Sequence, residues 1–259
     1  MKPISSRENP LVKQTKRLLD SSKARREAGL TIADGAHLVS AALDNRVEFA
    51  NLLFAESALE RSEVALLAAR APHVHQYVLP DALFASLSPV DTPTGIIGLL
   101  PIPTETAKPD VKSDWLVLDG VQDAGNVGTL LRTAAAAGVS DVLLGGGCAQ
   151  AWSPKVLRAG MGAHFVLRLH ESAQLRESLA AYRGQIAATR LDGATPLWDC
   201  DLSGPVAWIF GAEGQGVSAE IAALAGLGVA IPMAPGIESL NVAAAAAICL
   251  FEQRRQRSE

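Results

Sequence analysis

Short apolar runs alternate with helical patterns along the second part of the chain. The apolar runs are typical of buried strands. They lie at Trp115–Leu118, Val142–Leu144, Phe165–Leu169, Ile186–Thr189, Val206–Phe210 and Val229–Ile231. The patterns around them predict helices at Val127–Ala137, Pro154–Ala159, Ala173–Tyr182, Ala219–Ala225 and Val242–Arg255. This alternation indicates an α/β fold with a mostly parallel sheet, whose ligands bind at the carboxyl ends of the strands.

The first part of the chain mixes helices and strands less regularly, as in a small α/β unit. The predicted helices are Pro10–Asp20, Gly35–Leu43 and Ser57–Arg70. The predicted strands are Phe49–Phe54, Gln76–Leu79 and Gly95–Leu100. Between the two parts, residues 101–113 combine proline, threonine and charge without periodicity, which is typical of a linker. We therefore predict two domains, at residues 1–107 and 108–259.

Composition limits the class of protein. Hydrophobic residues make up 49% of the 259 residues and charged residues 19%, which excludes a disordered chain. The longest apolar run, Val242–Phe251, is shorter than the roughly 20 residues of a membrane span, and the first residues lack the apolar centre of a signal peptide. The three cysteines form no CxxC pair. We expect a cytoplasmic protein without disulfides or membrane association.

Charge is distributed unevenly along the chain. The formal net charge is −4, which by itself argues against nucleic-acid binding. However, residues 1–30 carry eight basic and three acidic side chains. A basic arm on an acidic body suits a polyanionic partner, and a solvated helix face is the alternative. The candidate residues for that partner are Arg7, Lys13, Lys16, Arg17, Arg25 and Arg26.

The first loop after a predicted strand follows Leu118 and reads DGVQDAGNVGTLLRTAAAAG. Asn126 stands where a helix N-cap is expected, and Arg132 lies six residues further along that helix. One interpretation is structural: Asn126 caps the helix and Arg132 reaches past apolar neighbours to water. The other is functional: the helix start and Arg132 bind an anion such as an RNA phosphate.

The second loop, in WIFGAEGQGVS, places Gly211, Gly214 and Gly216 directly after a strand. Glycines at such a position let the backbone approach a ligand closely, although they also occur in ordinary tight turns. The order G-x-x-G-x-G differs from the dinucleotide-binding G-x-G-x-x-G. Ser218 is a candidate cap for the next helix, and the carboxylate of Glu213 argues against phosphate binding within the loop.

The third loop, in IPMAPGIESLNVAAAAA, leads from a predicted strand into the final helix. Ser239 is expected to begin that helix, with Leu240 and Asn241 in its first turn. These residues bring hydroxyl, apolar and amide groups to one place. The alternative is an ordinary serine cap before an alanine-rich core helix.

Each loop alone is a weak signal, but the three in this order and spacing are specific. With the flanking ICLFEQRRQ, they resemble the SpoU/TrmH family of S-adenosylmethionine-dependent RNA ribose 2′-O-methyltransferases, within the SPOUT superfamily. The resemblance covers residues 114–257. It extends to ISSRENPLVKQTKRLL and IADGAHLVSAAL, which are similar to the substrate-binding domain of rRNA-modifying members. Asp34-Gly35 departs from the Glu-Gly of many relatives and keeps a polar turn.

The resemblance implies the SPOUT α/β-knot, a mostly parallel sheet with a C-terminal trefoil knot. It also implies that a small α/β RNA-binding domain precedes this fold in the chain. It implies S-adenosylmethionine as the cofactor and no metal, because the sulfonium supplies the leaving group. The residues implied to bind the cofactor are Gly211, Gly216, Ile231, Leu240, Asn241 and Val242. The residues implied to be catalytic are Asn126, Arg132, Glu213, Ser239 and Asn241.

The family assigns activation of the 2′-hydroxyl to the arginine that matches Arg132. Because a guanidinium rarely loses its proton, we expect Arg132 instead to hold a phosphate and stabilise the developing alkoxide. Asn126, Ser239 and Asn241 would then orient Arg132 and the ribose, and Glu213 is a candidate for the final proton acceptor.

Relatives are homodimers, so the resemblance also implies a second copy of this chain as a partner. The separate first domain favours large-subunit rRNA over tRNA as substrate. A tRNA methyltransferase and a catalytically inactive RNA-binding relative remain alternatives, although the intact polar motif residues argue against inactivity. An oxidoreductase would need the G-x-G-x-x-G loop, which is absent from the sequence.

Overall fold

The computed structural model describes residues 1–88, 90, 92–104, 107–190, 193–237 and 239–258. The chain forms two compact units. The first unit contains Met1–Glu105 and Trp152–Phe165, and the second contains Thr106–Ala151 and Val166–Glu259. The predicted second domain thus includes a segment, Trp152–Phe165, that packs within the first unit. The division of function between the two predicted domains stays a prediction.

The strands and helices are labelled in chain order. The strands are β1 (Lys2–Pro3), β2 (Leu30–Asp34), β3 (Asn51–Ala55), β4 (His75–Leu79), β5 (Ile96–Pro101), β6 (Trp115–Asp119), β7 (Asp141–Leu144), β8 (Arg168–Glu171), β9 (Gln185–Thr189), β10 (Thr195–Pro196), β11 (Val206–Gly211) and β12 (Leu227–Ala230). The helices are α1 (Pro10–Asp20), α2 (Ser22–Ala28), α3 (Ala36–Asp44), α4 (Ser62–Arg70), α5 (Asp81–Ala85), α6 (Ala124–Ala137), α7 (Pro154–Gly160), α8 (Leu175–Ala181), α9 (Ala219–Ala222) and α10 (Val242–Ser258). No helix among the described residues is long and apolar enough to cross a membrane.

The first unit is built on a mixed sheet with the strand order β1-β4-β3-β5-β2. Strand β5 runs antiparallel to β2 and β3, and the other pairs are parallel. Helix α1 begins where the Asn9 side chain accepts a hydrogen bond from the Leu11 amide at 2.9 Å, with Pro10 in the first turn. Val12 and Leu18 are buried, so the basic side of α1 faces water.

Arg25 corrects one expectation from the sequence. We expected Arg25 to bind a polyanion, but only 7% of the residue is exposed. Its guanidinium donates hydrogen bonds to the carbonyls of Leu18, at 2.7 Å, and Leu19, at 3.3 Å. These carbonyls belong to the last turn of α1, where a cation is favourable for the helix dipole. Arg25 therefore joins α2 to the end of α1, and it is not available to a polyanion.

The segment Trp152–Phe165 is held in the first unit by specific contacts. The Thr31 hydroxyl donates to the Trp152 carbonyl at 2.6 Å. Arg158 of α7 forms an ion pair of 3.0 Å with Asp34, whose side chain is 3% exposed. A Cβ atom placed on Gly162 would lie 2.7 Å from the Cβ of Ala41, so only glycine permits this approach to α3.

The second unit is a seven-stranded sheet with the strand order β10-β12-β9-β11-β6-β7-β8. All of its pairs are parallel. The inner strands are mostly apolar, with Trp115, Val117, Leu143 and Ile209 each 0% exposed. This is the mostly parallel sheet predicted from the alternation of strands and helices, and the prediction of an α/β fold is confirmed.

The last helix packs within its own chain. Helix α10 lies against α6, and Ala243 and Ala246 are buried there. Further along, Gln253 accepts a hydrogen bond from the Trp208 indole at 2.7 Å and donates to Asp114 at 2.9 Å. The alanine-rich run is therefore explained by close packing inside the subunit.

Several element boundaries differ from the sequence predictions. The predicted helix Ser57–Arg70 is a short 3₁₀ helix, Ser57–Glu60, followed by α4. The strand predicted at Phe165–Leu169 begins only at Arg168, because Ala163–Phe165 forms a 3₁₀ turn. Strand β2 and helix α2 were not predicted from the sequence.

Candidate active site

A cleft of about 670 Å³ opens at the carboxyl ends of β9, β11 and β12. This volume lies within the roughly 300–1,000 Å³ of small-molecule sites. The loops that follow β11 and β12 form most of the walls. The lining residues are Thr189, Arg190, Phe210, Gly211, Ala212, Glu213, Gly214, Gly216, Val217, Val229, Ile231, Met233, Ser239, Leu240, Asn241, Val242 and Ala245.

The glycine-rich loop folds back tightly on the end of β11. The Gly216 amide donates to the Ala212 carbonyl at 2.8 Å, and Gly216 has a φ of 67°. A Cβ atom on Gly211 would lie 2.0 Å from the carbonyl carbon of Gly216. Backbone-to-backbone contact thus requires glycine at position 211, and the positive φ favours it at 216. Apart from its chain neighbours, no described residue has an atom within 4 Å of a Cβ placed on Gly214 or Gly216, so the loop backbone is open to a ligand.

Asp119 fixes the far end of this loop. Its Oδ2 accepts a hydrogen bond from the Ser218 amide at 2.8 Å, and Asp119 pairs with Gly211 in the sheet register. Ser218 occupies the N-cap position of α9 without a side-chain cap hydrogen bond. Asp119 was not predicted to be a site residue, although its place directly after the predicted strand Trp115–Leu118 was a usable signal.

Three polar side chains, one from the first turn of α6 and two from loops, form a continuous hydrogen-bonded chain. The Asn241 Nδ2 donates to the Asn126 Oδ1 at 3.0 Å. The Asn126 Nδ2 in turn donates to the Glu213 Oε1 at 2.7 Å. Asn126 thereby couples the carboxylate to the start of α10. The structure brings together three of the five residues predicted to be catalytic.

Helix α6 begins at Ala124, so the N-cap predicted at Asn126 is wrong. The cap is Asp123, whose Oδ1 accepts a hydrogen bond from the Asn126 amide at 2.7 Å. Aspartate and asparagine are equally good caps, and the sequence did not distinguish the two positions. Because Asp123 caps the helix, the Asn126 side chain is left to bridge Glu213 and Asn241.

Two starts were predicted for the last helix, Val242 from the apolar pattern and Ser239 from the loop sequence, and the structure confirms Val242. Helix α10 begins at Val242, and the Asn241 Oδ1 accepts from the amides of Ala243, at 2.9 Å, and Ala244, at 3.3 Å. Asn241 therefore caps α10 with its oxygen and contacts Asn126 with its nitrogen. Ser239 precedes the helix, lines the cleft and is exposed.

Arg132 is not joined to this hydrogen-bonded chain within the subunit. It lies on the exposed face of α6, in line with Gly125, Thr129 and Ala136. Within the part of the chain that the structure describes, its guanidinium has no hydrogen bond or ion pair. The remaining predicted catalytic residues thus occupy two places: Ser239 in the cleft wall and Arg132 on the open helix face.

The residues predicted to bind the cofactor do share one cleft. Gly211, Gly216, Ile231, Leu240, Asn241 and Val242 all line it. The open glycine backbone and the apolar side chains fit an adenine ring, and the polar Glu213 and Asn241 fit the charged end of S-adenosylmethionine. Thr189, Arg190 and Met233 also line the cleft and were not selected from the sequence, although Arg190 directly follows a predicted strand.

Comparison with known proteins agrees with this geometry. The profile of the SpoU rRNA Methylase family matches residues 115–251, and that of the MRM3-like substrate binding domain matches residues 9–98. A Bacillus subtilis protein named 23S rRNA (guanosine(2553)-2′-O)-methyltransferase RlmP is 32% identical, covering 98% of this chain and all of its own. An uncharacterized tRNA/rRNA methyltransferase of Synechocystis is 37% identical, covering 98% of this chain and 94% of its own.

A solved structure extends the likeness to three dimensions. The AdoMet-bound rRNA methyltransferase from Sinorhizobium meliloti superposes with a TM-score of 0.86 at 30% identity, covering 98% of this chain and 97% of its own. Fold and site together define an α/β methyltransferase of the SPOUT class. The chain belongs to the SpoU rRNA methylase family. It is an RNA ribose 2′-O-methyltransferase that uses S-adenosylmethionine, as its three loops indicated.

Proposed function

We propose that this enzyme methylates the ribose 2′-hydroxyl of one nucleotide in large-subunit rRNA. The observation that carries this proposal is the full-length similarity to a 23S rRNA methyltransferase, which includes a substrate-binding domain in the first unit. The resemblance supports this choice, because tRNA-specific members of the family generally lack such a separate domain. The free thiols of Cys148, Cys200 and Cys249 suit a reducing cytoplasm.

The cleft residues have the role of binding and orientation in this proposal. Gly211 and Gly216 offer backbone groups, while Ile231, Leu240 and Val242 offer apolar contact to an adenine. The cofactor supplies a methyl group on a sulfonium, which is a good leaving group without a metal. The chain must then align the ribose oxygen with that methyl group, because correct geometry alone removes much of the barrier.

In this proposal Arg132 stabilises negative charge and Glu213 accepts a proton. The Arg132 guanidinium stays protonated, so it binds the phosphate beside the target ribose and stabilises the oxygen as it loses its proton. Glu213 accepts that proton: its Oε1 is held by Asn126, and its Oε2 has no hydrogen-bond partner among the described residues. As the oxygen–methyl bond forms, the carbon–sulfur bond breaks and its electron pair stays on sulfur. Ser239 and Asn241 orient the ribose and the asparagine bridge.

We also propose that the enzyme acts as a homodimer and that its C-terminal segment forms the trefoil knot of its superfamily. Arg132 supports the dimer, because it lies on an exposed helix face beside small residues and has no partner in its own described chain. A second copy packed on this face would bring Arg132 toward a cleft. The test is sedimentation equilibrium, in which a monomer would contradict the proposal.

The proposed RNA surface is the basic side of the first two helices. Arg7, Lys13, Lys16, Arg17 and Arg26 are exposed, whereas Arg25 is excluded by its burial. Lys13 pairs with Glu8 at the surface, which leaves its charge accessible. These cations would bind phosphates without reading sequence, so they position the RNA and the cleft selects the nucleotide.

The test of the proposed function is the transfer of labelled methyl from S-adenosylmethionine to unmodified rRNA and to tRNA. We expect label in large-subunit rRNA, at one nucleotide that resists alkaline cleavage, and loss of that label with Arg132→Ala. Label in tRNA alone would contradict the proposed substrate. Full activity of Arg132→Ala would contradict the role given to Arg132.

A further inference from the structure

Arg190 is a cation inside the cleft to which neither the sequence nor the comparisons gave a role. It directly follows β9, and its amide donates to the Val229 carbonyl at 3.0 Å, which continues the pairing with β12. Its position is therefore set by the sheet. Its side chain lines the same cleft as Glu213 and Leu240.

The Arg190 guanidinium packs directly against the backbone of Gly228. A Cβ atom built on Gly228 would lie 1.8 Å from the Arg190 Nε and 2.4 Å from its Cζ. Gly228 lies in strand β12 and is absent from the glycines with positive φ, so the backbone does not require glycine there. The missing side chain at position 228 instead lets the Nε–Nη2 edge of the guanidinium approach the strand closely, because Nη2 would also lie 2.3 Å from that Cβ atom.

Arg190 has no side-chain partner among the residues that the structure describes. Across the described ranges of the chain, its guanidinium forms no hydrogen bond and no ion pair, although it is exposed to the cleft. Glu213 is the other charged residue in the described lining, and its Oε1 is bound by Asn126. Among the described lining residues, Arg190 is the one cation, so it is placed to bind an anionic group of a ligand.

We propose that Arg190 binds the α-carboxylate of S-adenosylmethionine. The cofactor carries one anionic group, and a guanidinium with its Nε–Nη2 edge against Gly228 still has the paired N–H groups of Nη1 and Nη2, which match a carboxylate. Glu213, also in the cleft, complements the cationic groups of the same amino-acid moiety. Arg190 is thus a cofactor-positioning residue, and this inference rests on the cofactor cleft proposed above.

The experiment compares two ligands by isothermal titration calorimetry. S-adenosylhomocysteine retains the carboxylate, whereas 5′-methylthioadenosine keeps the adenosine and sulfur and lacks the amino acid. We expect Arg190→Gln to weaken S-adenosylhomocysteine binding about tenfold or more, the range of a hydrogen bond to a charged group. The affinity for 5′-methylthioadenosine should change less than about twofold. The affinity of Arg190→Lys for S-adenosylhomocysteine should lie between those of wild type and Arg190→Gln, because lysine keeps the charge but lacks the paired N–H groups of the guanidinium.

Two further variants make the result specific. Gly228→Ala keeps the arginine but displaces its guanidinium, and it should show the same selective loss. Arg176→Gln changes an arginine that is 72% exposed and lies outside the cleft, and both affinities should stay at the wild-type level.

Equal weakening of both ligands by Arg190→Gln would overturn the proposal, because the side chain would then act on the adenosine part or on the shape of the cleft. An unchanged affinity for S-adenosylhomocysteine would overturn it as well. Leu240→Asp tests the cleft separately and should weaken both ligands. If Leu240→Asp binds both normally, the cleft assignment fails; if only Arg190→Gln binds normally, the carboxylate assignment alone fails.

Discussion

At the scale of single residues, the site depends on which short polar side chain caps a helix and which is left to reach across loops. Asp123 satisfies the first turn of α6, and Asn126 is then able to contact both Glu213 and Asn241. An asparagine is required in the middle, because it must donate to a carboxylate and accept from an amide at once.

Asn126→Asp tests that requirement. The new carboxylate would face Glu213 across a contact that is 2.7 Å in the wild type, and two carboxylates at this distance cannot both stay ionised. We expect methyl transfer to fall about 100-fold, within the range lost with one preorganised polar group. The affinity for S-adenosylhomocysteine should stay within about twofold.

The matched control is Asn45→Asp, at the end of α3 in the first unit, which should leave methyl transfer unchanged. Wild-type transfer rates with Asn126→Asp would remove Asn126 from the catalytic machinery.

A second prediction concerns the buried contact between Trp208 and Gln253. In Gln253→Met, the indole N–H and Asp114 would each lose a partner inside the protein. We expect the free energy of unfolding to fall by about 2 kcal/mol, since an unsatisfied buried polar group costs about 1–3 kcal/mol. Urea unfolding measures this. Gln174→Met, at an exposed position, should change it by less than about 0.5 kcal/mol.

At the scale of elements, the edge of the second sheet opposite the cleft is held by Asp141, the first residue of β7. Its side chain is fully buried and accepts hydrogen bonds from Arg168, at 2.5 and 2.8 Å, and its Oδ1 lies 3.0 Å from the His170 Nε2. Burial alone would raise the pKa of Asp141, but the contacts with His170 and Arg168 outweigh it and hold the pKa well below its usual value. The carboxylate thereby joins β7 to β8.

Asp141→Asn should lower the free energy of unfolding at pH 7 by about 2 kcal/mol, because the ionised carboxylate stabilises only the folded state. The group has a depressed folded pKa, so its contribution is complete above the unfolded value of about 3.9 and is lost as pH falls further. The difference between wild type and variant should therefore shrink below about pH 4.

Urea unfolding at several pH values measures that difference. The exposed pair of Asp44 and Arg70 provides the control, and Asp44→Asn should cost less than about 0.5 kcal/mol at every pH. A difference that is constant with pH would show that the charge of Asp141 contributes nothing.

The sequence predicted the second sheet and the site loops well, because strand runs and post-strand residues are local signals. It was less accurate where the outcome depends on tertiary contacts. The sequence did not distinguish Asp123 from Asn126 as the cap of α6, because the two residue types cap helices equally well. The burial of Arg25 depends on its contact with the end of α1. The position of the Arg190 side chain depends on Gly228, which is distant along the chain. Contacts of this kind cannot be predicted from the local sequence.

At the scale of the whole molecule, we expect RNA binding and cofactor binding to be separable. Charge reversal of Lys13, Lys16 and Arg17 on α1 should weaken rRNA binding at least about tenfold at low salt and reduce its salt dependence, since each cation releases counterions. The affinity for S-adenosylhomocysteine should not change. Filter binding over a salt series and calorimetry measure the two quantities.

Arg176→Glu, in the second unit, is the control and should affect neither. Equal loss of both affinities in the α1 variant would argue against the division of labour between the two units.

The path of residues 152–165 limits how the two units of this enzyme can be recombined during evolution. The segment lies within the stretch matched by the methylase family and yet packs in the first unit, where Val156 and Leu157 are buried. A gene fusion cut near residue 107 would separate these side chains from the surface that covers them. We therefore expect that residues 1–107 cannot be exchanged by recombination without also replacing residues 152–165. New RNA specificities in this architecture should arise by substitution within an inherited pair of units.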